Sequence, residues 1–68
     1  MGARLQAIVD RVRRESRGVV NVDLARLNLR VGQPLSRAAM EIPDTHELVA
    51  KAEAVANEIL GAAQDPNK

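Results

Sequence analysis

The sequence contains no cysteine and no Phe, Tyr or Trp. Without cysteine the chain has no disulfides and no thiolate zinc sites, and its one histidine, His46, cannot build a histidine-rich metal site. Aromatic side chains contribute most to core burial, and a single core in a chain of 68 residues supplies only a few kcal/mol. We therefore expect one small domain, residues 1–63, that either associates with a second copy or a larger protein, or is marginally folded alone.

Long hydrophobic runs are also absent. No segment approaches the roughly 20 apolar residues of a membrane span. The first residues lack the continuous apolar region and the cleavage site of a secretory signal. Without Trp or Phe there is little to hold a helix at a membrane surface. These absences predict a cytoplasmic protein that makes no membrane contact.

Groups that could carry out catalysis are sparse. Ser36 has no histidine in its segment, and His46 is the only candidate base, whereas nucleophilic catalysis needs three groups that converge in a pocket. The four glycines are scattered singly and form no phosphate-binding run. We expect no enzymatic activity, no cofactor and no metal site.

Segment 3–16 has the apolar periodicity of a helix. Its apolar residues recur at i, i+3, i+4 and i+7. Gly18 follows where a helix end is expected, but no capping side chain precedes the segment, so we expect its first turn to fray. The apolar face consists of Leu5, Ile8, Val9 and Val12.

Segment 45–60 has the strongest helical pattern. Asp44 is the predicted N-cap, and Glu47, three residues later, completes an arrangement like a capping box. Gly61 would be the C-cap unless the helix continues through Ala63. Residues 64–68 are expected to form a disordered tail.

The apolar residues of segment 45–60 recur at alternating spacings of four and three, the period of a coiled-coil seam. Its several alanines would permit a close approach between helices. The seam either packs within the chain or binds a partner, and in so small a chain we expect it to do both. The residues predicted to bind a partner here are Leu48, Ala52, Val55 and Ile59.

Residues 19–31 are compatible with two structures. Residues 19–22 are rich in β-branched side chains, and Leu27, Leu29 and Val31 alternate with polar residues as in a strand. The alternation changes phase after Leu24, however, so one straight strand cannot bury both sets. We favour a helix here and keep a short strand at 19–22 as the alternative.

The helical interpretation predicts caps for this middle segment. Asn21 or Asp23 would be the N-cap and Gly32 the C-cap. After Gly32-Gln33-Pro34, residues 35–42 are predicted to form a short helix capped by Ser36. The inward side chains would be Val20, Leu24, Leu27 and Val31 in the first helix and Leu35, Ala39 and Ile42 in the second. The predicted fold is mainly α, completed by oligomerisation.

Charge is distributed unevenly along the chain. Residues 1–37 contain eight arginines and three acids, a net charge of +5, whereas residues 38–68 contain two lysines and six acids, a net charge of −4. This asymmetry indicates an acidic partner for the first half, or complementarity between halves or copies, unless the charges are merely solvated. Arg11, Arg13 and Arg14 lie close together in sequence and are predicted to contact the partner.

Two functions are consistent with these features. The favoured one is a non-enzymatic adaptor or regulator that acts through helix-mediated contacts with itself and a larger protein. The alternative is a small dimeric DNA-binding regulator that uses the arginine-rich half. Residues 22–42 resemble a helix-turn-helix only loosely, because the second helix would be short and Pro34 would occupy the turn.

Overall fold

The computed structural model describes residues 2–64, with side chains through residue 61. It contains four α-helices: α1 (Ala3–Glu15), α2 (Val20–Val31), α3 (Leu35–Ala38) and α4 (His46–Gln64). A 3-10 turn, Ala39–Glu41, follows α3, and residues 2–64 contain no strand. The mainly α prediction is therefore confirmed. Apart from Gln64, which ends α4, the predicted tail lies outside the described residues.

The long helix α4 packs against α1 and α2. Helix α3 and the 3-10 turn also pack against α1. Each helix contributes one apolar face to a single core. The apolar faces predicted for α1 and for the middle helix are buried as expected, apart from the partly buried Val20. The core residues are Leu5, Ile8, Val9, Val12, Leu24, Leu27, Val31, Leu35, Ala39, Val49, Ala52, Val55, Ala56, Ile59 and Leu60.

The start of α1 is capped by a side chain that is remote in sequence. The backbone N–H groups of Arg4 and Leu5 donate to the two carboxylate oxygens of Asp44, at 2.9 and 3.2 Å. These are the second and third N–H groups of the helix, the ones that an N-cap side chain normally accepts from. As predicted, no side chain at the N-cap position caps α1, but its first turn receives a carboxylate acceptor from the loop before α4.

Helix α4 begins one residue later than predicted. Thr45, not Asp44, caps it: the Thr45 hydroxyl accepts a hydrogen bond from the N–H of Leu48 at 3.2 Å. The predicted capping box of Asp44 and Glu47 was therefore wrong. At its other end α4 runs past Gly61, which is the second of the two alternatives.

Helix α2 begins without a side-chain cap, and Val19 occupies the N-cap position. Asn21 and Asp23 both lie inside the helix, so the prediction that one of them is the N-cap was wrong. Asp23 is buried and accepts a hydrogen bond from the Ser16 hydroxyl at 2.5 Å, which joins the end of α1 to the first turn of α2. Gly32 ends the helix in the left-handed region, at φ 82°, as predicted.

The short helix α3 is also joined to another part of the chain. Pro34 is its N-cap, and Ser36 lies in its first turn, so Ser36 does not cap it as predicted. The Ser36 N–H donates to the Asn28 side-chain oxygen at 3.0 Å, and the Asn28 amide donates to the Ser36 hydroxyl at 2.7 Å. This reciprocal pair fixes α3 against the end of α2.

Candidate interaction surface

Most of the predicted seam on α4 lies inside the folded chain. Ala52, Val55 and Ile59 are buried in the core formed with α1 and α2. Leu48 is half-buried at the edge of the core and lines an open cleft. A partner would reach the three buried side chains only if the chain opened, so a second copy is not needed to cover them. Partner binding through these residues stays a prediction.

The three arginines that were predicted to form one contact surface point in different directions. Arg11 donates to the Asn57 side chain on α4 at 2.7 Å, and its guanidinium lies 3.6 Å from Glu15. Arg13 donates to the Ser36 carbonyl oxygen at 3.1 Å. Arg14 is exposed, on the outer side of α1. Two of the three therefore connect helices of the same chain, and the structure does not bring them together as a patch.

Among residues 2–61, one ion pair joins the basic half of the chain to the acidic half. Arg30 on α2 forms an ion pair with Glu58 on α4, at 2.5 Å between Nη2 and Oε1. Both side chains are largely exposed, and an exposed pair contributes only about 0–1 kcal/mol. The pair therefore aligns α2 and α4 without contributing much to the free energy of unfolding.

The outward face of α2 carries apolar side chains that no other helix covers. Val22 and Leu29 lie on the side of α2 opposite to its core residues, and 45% and 82% of their surface is exposed. Ala25 lies between them on the same side and is also exposed. Val22, Ala25 and Leu29 have the spacing i, i+3 and i+7, so they form a second apolar stripe. We call these three residues the α2 face.

This face borders a shallow cavity at the end of α2. Its volume is about 450 Å³, and it lies between the last turn of α2 and the start of α3. Leu29 and Ala25 form its apolar side, and Arg37 is the charged residue of its lining. The remaining lining residues are Asn28, Gly32, Gln33 and Pro34.

The charges beside the α2 face are positive. Arg26 lies on α2 four residues after Val22 and three before Leu29, which makes it a neighbour of both on the helix surface. Arg37 flanks Leu29 from the cavity side. Among residues 2–61, no Asp or Glu pairs with either arginine, and none lines the cavity.

A second concavity lies on the other side of the turn between α2 and α3. This cleft, of about 510 Å³, has the apolar side chains of Val31, Ile42 and Leu48 in its lining. Glu41, Glu47 and Lys51 are the charged lining residues, so the cleft carries charges of both signs.

The α2 face was not predicted from the sequence. One signal was present: Leu29 was part of an alternating pattern that fits a strand, and the helical interpretation left it outside the apolar face. In an α-helix, Leu27 and Val31 point into the core and Leu29 points away from it. A large apolar residue that the favoured periodicity does not explain was therefore the available clue.

The described residues offer no metal site and no membrane-spanning helix. No three His, Asp or Glu side chains among them are grouped as metal ligands would be. No helix within residues 2–64 has the length and apolar character that crossing a bilayer requires. Comparisons of the chain with protein-family models, with curated proteins and with solved structures found no match.

Proposed function

We propose that this protein is a small, non-enzymatic adaptor or regulator that acts by binding another protein through the α2 face. The observation that carries the proposal is Leu29, which is 82% exposed although most large apolar side chains of the described residues are buried. An exposed stripe of apolar residues on one helix is typical of a protein–protein contact. Single exposed apolar residues are ordinary, but here Val22 and Ala25 extend the stripe over two turns.

The dimensions of the face fit a helix as the binding element. From Val22 to Leu29 the stripe is about 10 Å long, at 1.5 Å per residue. Ala25 in its centre leaves a shallow depression between two larger side chains, into which a side chain of a second helix can pack. A partner helix would therefore contact α2 along its length.

Site-specific photo-crosslinking in the native cell tests this function. A photoreactive amino acid replaces Leu29 in one variant and Ala54, which is exposed on α4, in the control. We expect a discrete crosslinked protein from position 29 and not from position 54. We also expect that crosslink to be lost when Val22→Gln is added. Equal crosslinking from both positions, or none specific to position 29, would contradict the proposal.

DNA binding is the competing function, and it predicts a different result. The α2–α3 pair has a helix of only four residues where a recognition helix would be, which leaves few side chains to contact bases. Filter binding to generic duplex DNA over a salt series separates the two functions. Binding that weakens steeply with salt would favour the DNA-binding regulator.

A further inference from the structure

We infer that the α2 face binds an acidic amphipathic helix of a different protein, rather than a second copy of this chain. This inference rests on the proposed function and adds the chemistry of the partner. It combines two observations: the uncovered apolar stripe of the α2 face and the two arginines, Arg26 and Arg37, that flank it.

The apolar stripe accounts for binding, and the arginines account for selectivity. A helix that places apolar residues against Val22, Ala25 and Leu29 buries their exposed surface, which is favourable in proportion to the area removed from water. The same helix would place its flanking residues beside Arg26 and Arg37. Carboxylates at those positions meet two guanidinium groups that no acid among residues 2–61 neutralises.

A second copy is a poorer occupant because of the same arginines. A symmetric dimer uses one surface patch on both chains, so it would bring Arg26 and Arg37 of both chains into one interface. Like charges that face each other across an interface weaken it and suppress that pairing. The exposed acids Glu47 and Glu53 lie on α4 and are not part of the α2 face. A contact between the α2 face and α4 of the next copy would join two different surfaces, so the copies would assemble head-to-tail into a ring or an open filament.

Two synthetic peptides that differ only in charge provide the probe. Each is an amphipathic helix of about four turns with leucines at i, i+3, i+4 and i+7. One carries glutamates beside the leucines, and the matched peptide carries lysines there. Each is titrated into the whole isotope-labelled protein at low salt, and the backbone amide shifts are followed by NMR.

We expect the glutamate peptide to shift amides between residues 22 and 37 and to bind at least about fivefold more tightly than the lysine peptide. The difference should shrink as salt is raised, because exposed charges are screened. Replacing both arginines with glutamine should remove the preference but keep the binding. Leu29→Gln should weaken the binding of both peptides, while Ala54→Gln on α4 should leave both unchanged.

The outcomes distinguish the inference from the function beneath it. Equal affinity for the two peptides at the α2 face would overturn the acidic partner and leave the docking surface in place. Shifts that fall elsewhere, or that Leu29→Gln does not reduce, would overturn both. A micromolar dimer in sedimentation equilibrium that Leu29→Gln dissociates would overturn the heterologous partner in favour of a second copy.

Discussion

Asp44 lies in the loop before α4, and its carboxylate accepts hydrogen bonds from two N–H groups at the start of α1. In the sequence Asp44 is predicted to cap the nearer helix, α4, because caps are normally local. The loop runs back across the start of α1, however, so the acceptor reaches a helix that begins some 40 residues earlier. One carboxylate thereby connects the start of α1 to the loop before α4.

Replacing Asp44 therefore tests a contact between distant parts of the chain. We expect Asp44→Ala to lower the free energy of unfolding by about 1 kcal/mol, as the loss of a cap usually does. In a domain of this size that corresponds to a fall of about 4–8 °C in Tm. The amides of Arg4 and Leu5 should also exchange faster with solvent, as measured by NMR.

Two further variants separate this cap from other effects. Glu53→Ala removes an exposed carboxylate of α4 and should leave the unfolding midpoint nearly unchanged. Thr45→Ala should accelerate exchange at Leu48 and not at Arg4, because Thr45 caps α4. If Asp44→Ala accelerated exchange at the start of α4 and not of α1, Asp44 would be a local cap after all.

Gly2 is the second residue whose role depends on a distant segment. It is the N-cap of α1 at φ 34°, and a Cβ built there would lie 1.6 Å from the Ala39 carbonyl oxygen. Gly32 also has a positive φ, but a Cβ there would meet no atom within 4 Å. At Gly18 a Cβ would likewise meet nothing.

Alanine at these glycines should therefore destabilise the chain in a fixed order. We expect Gly2→Ala to cost most, because it combines a backbone clash with an unfavourable φ. Gly32→Ala should cost about 1–2 kcal/mol from its left-handed conformation alone. Gly18→Ala should change stability by about 0.5 kcal/mol or less. Urea unfolding of the three variants measures the order, and a Gly2→Ala variant as stable as Gly18→Ala would show that Gly2 does not pack on Ala39.

At the scale of the helices, local signals predicted the elements well and their connections poorly. Periodicity located α1, α2 and α4, because burying one face of a helix requires that spacing. It could not say which chain would cover the face of α4. The hydrogen bonds that Asp44 accepts from α1 and Asn28 accepts from α3 were also missed, because each joins elements that come together only in the folded chain. The α2 face was missed for a related reason. The exposure of a side chain such as Leu29 can be recognised only when it is known which side chains pack into the core.

The two apolar stripes, on α4 and on α2, should respond differently to the same change. Val55→Asp places a carboxylate in the core, which costs several kcal/mol. A single small core supplies little more than that, so we expect this variant to lose its helical circular dichroism and its cooperative melt. Leu29→Asp places the same group in water and should preserve both. If Val55→Asp kept the wild-type melt, the α4 stripe would not be core, and its role as a partner seam would be favoured.

In the whole molecule, most large apolar side chains among residues 2–61 are covered within the chain, and the α2 face is not. The basic and acidic halves pack on one another and share the Arg30–Glu58 pair, while two arginines flank the α2 face. The described side chains contain no buried polar atom without a hydrogen-bond partner. Residues 2–61 thus form a core, provide hydrogen-bond partners for their buried side-chain polar atoms and leave the α2 face uncovered.

This arrangement bears on the dimer that the sequence predicts. If folding required a second copy, melting would be coupled to association, and Tm would rise with protein concentration. Because α4 is covered by α1 and α2 of the same chain, we expect Tm to be independent of concentration. Differential scanning calorimetry over a hundredfold concentration range measures this. Leu29→Gln is the control. Its Tm should match that of the wild type at every concentration if the α2 face is not a dimer contact. A Tm that rises with concentration in the wild type and not in Leu29→Gln would show that two copies fold together across this face.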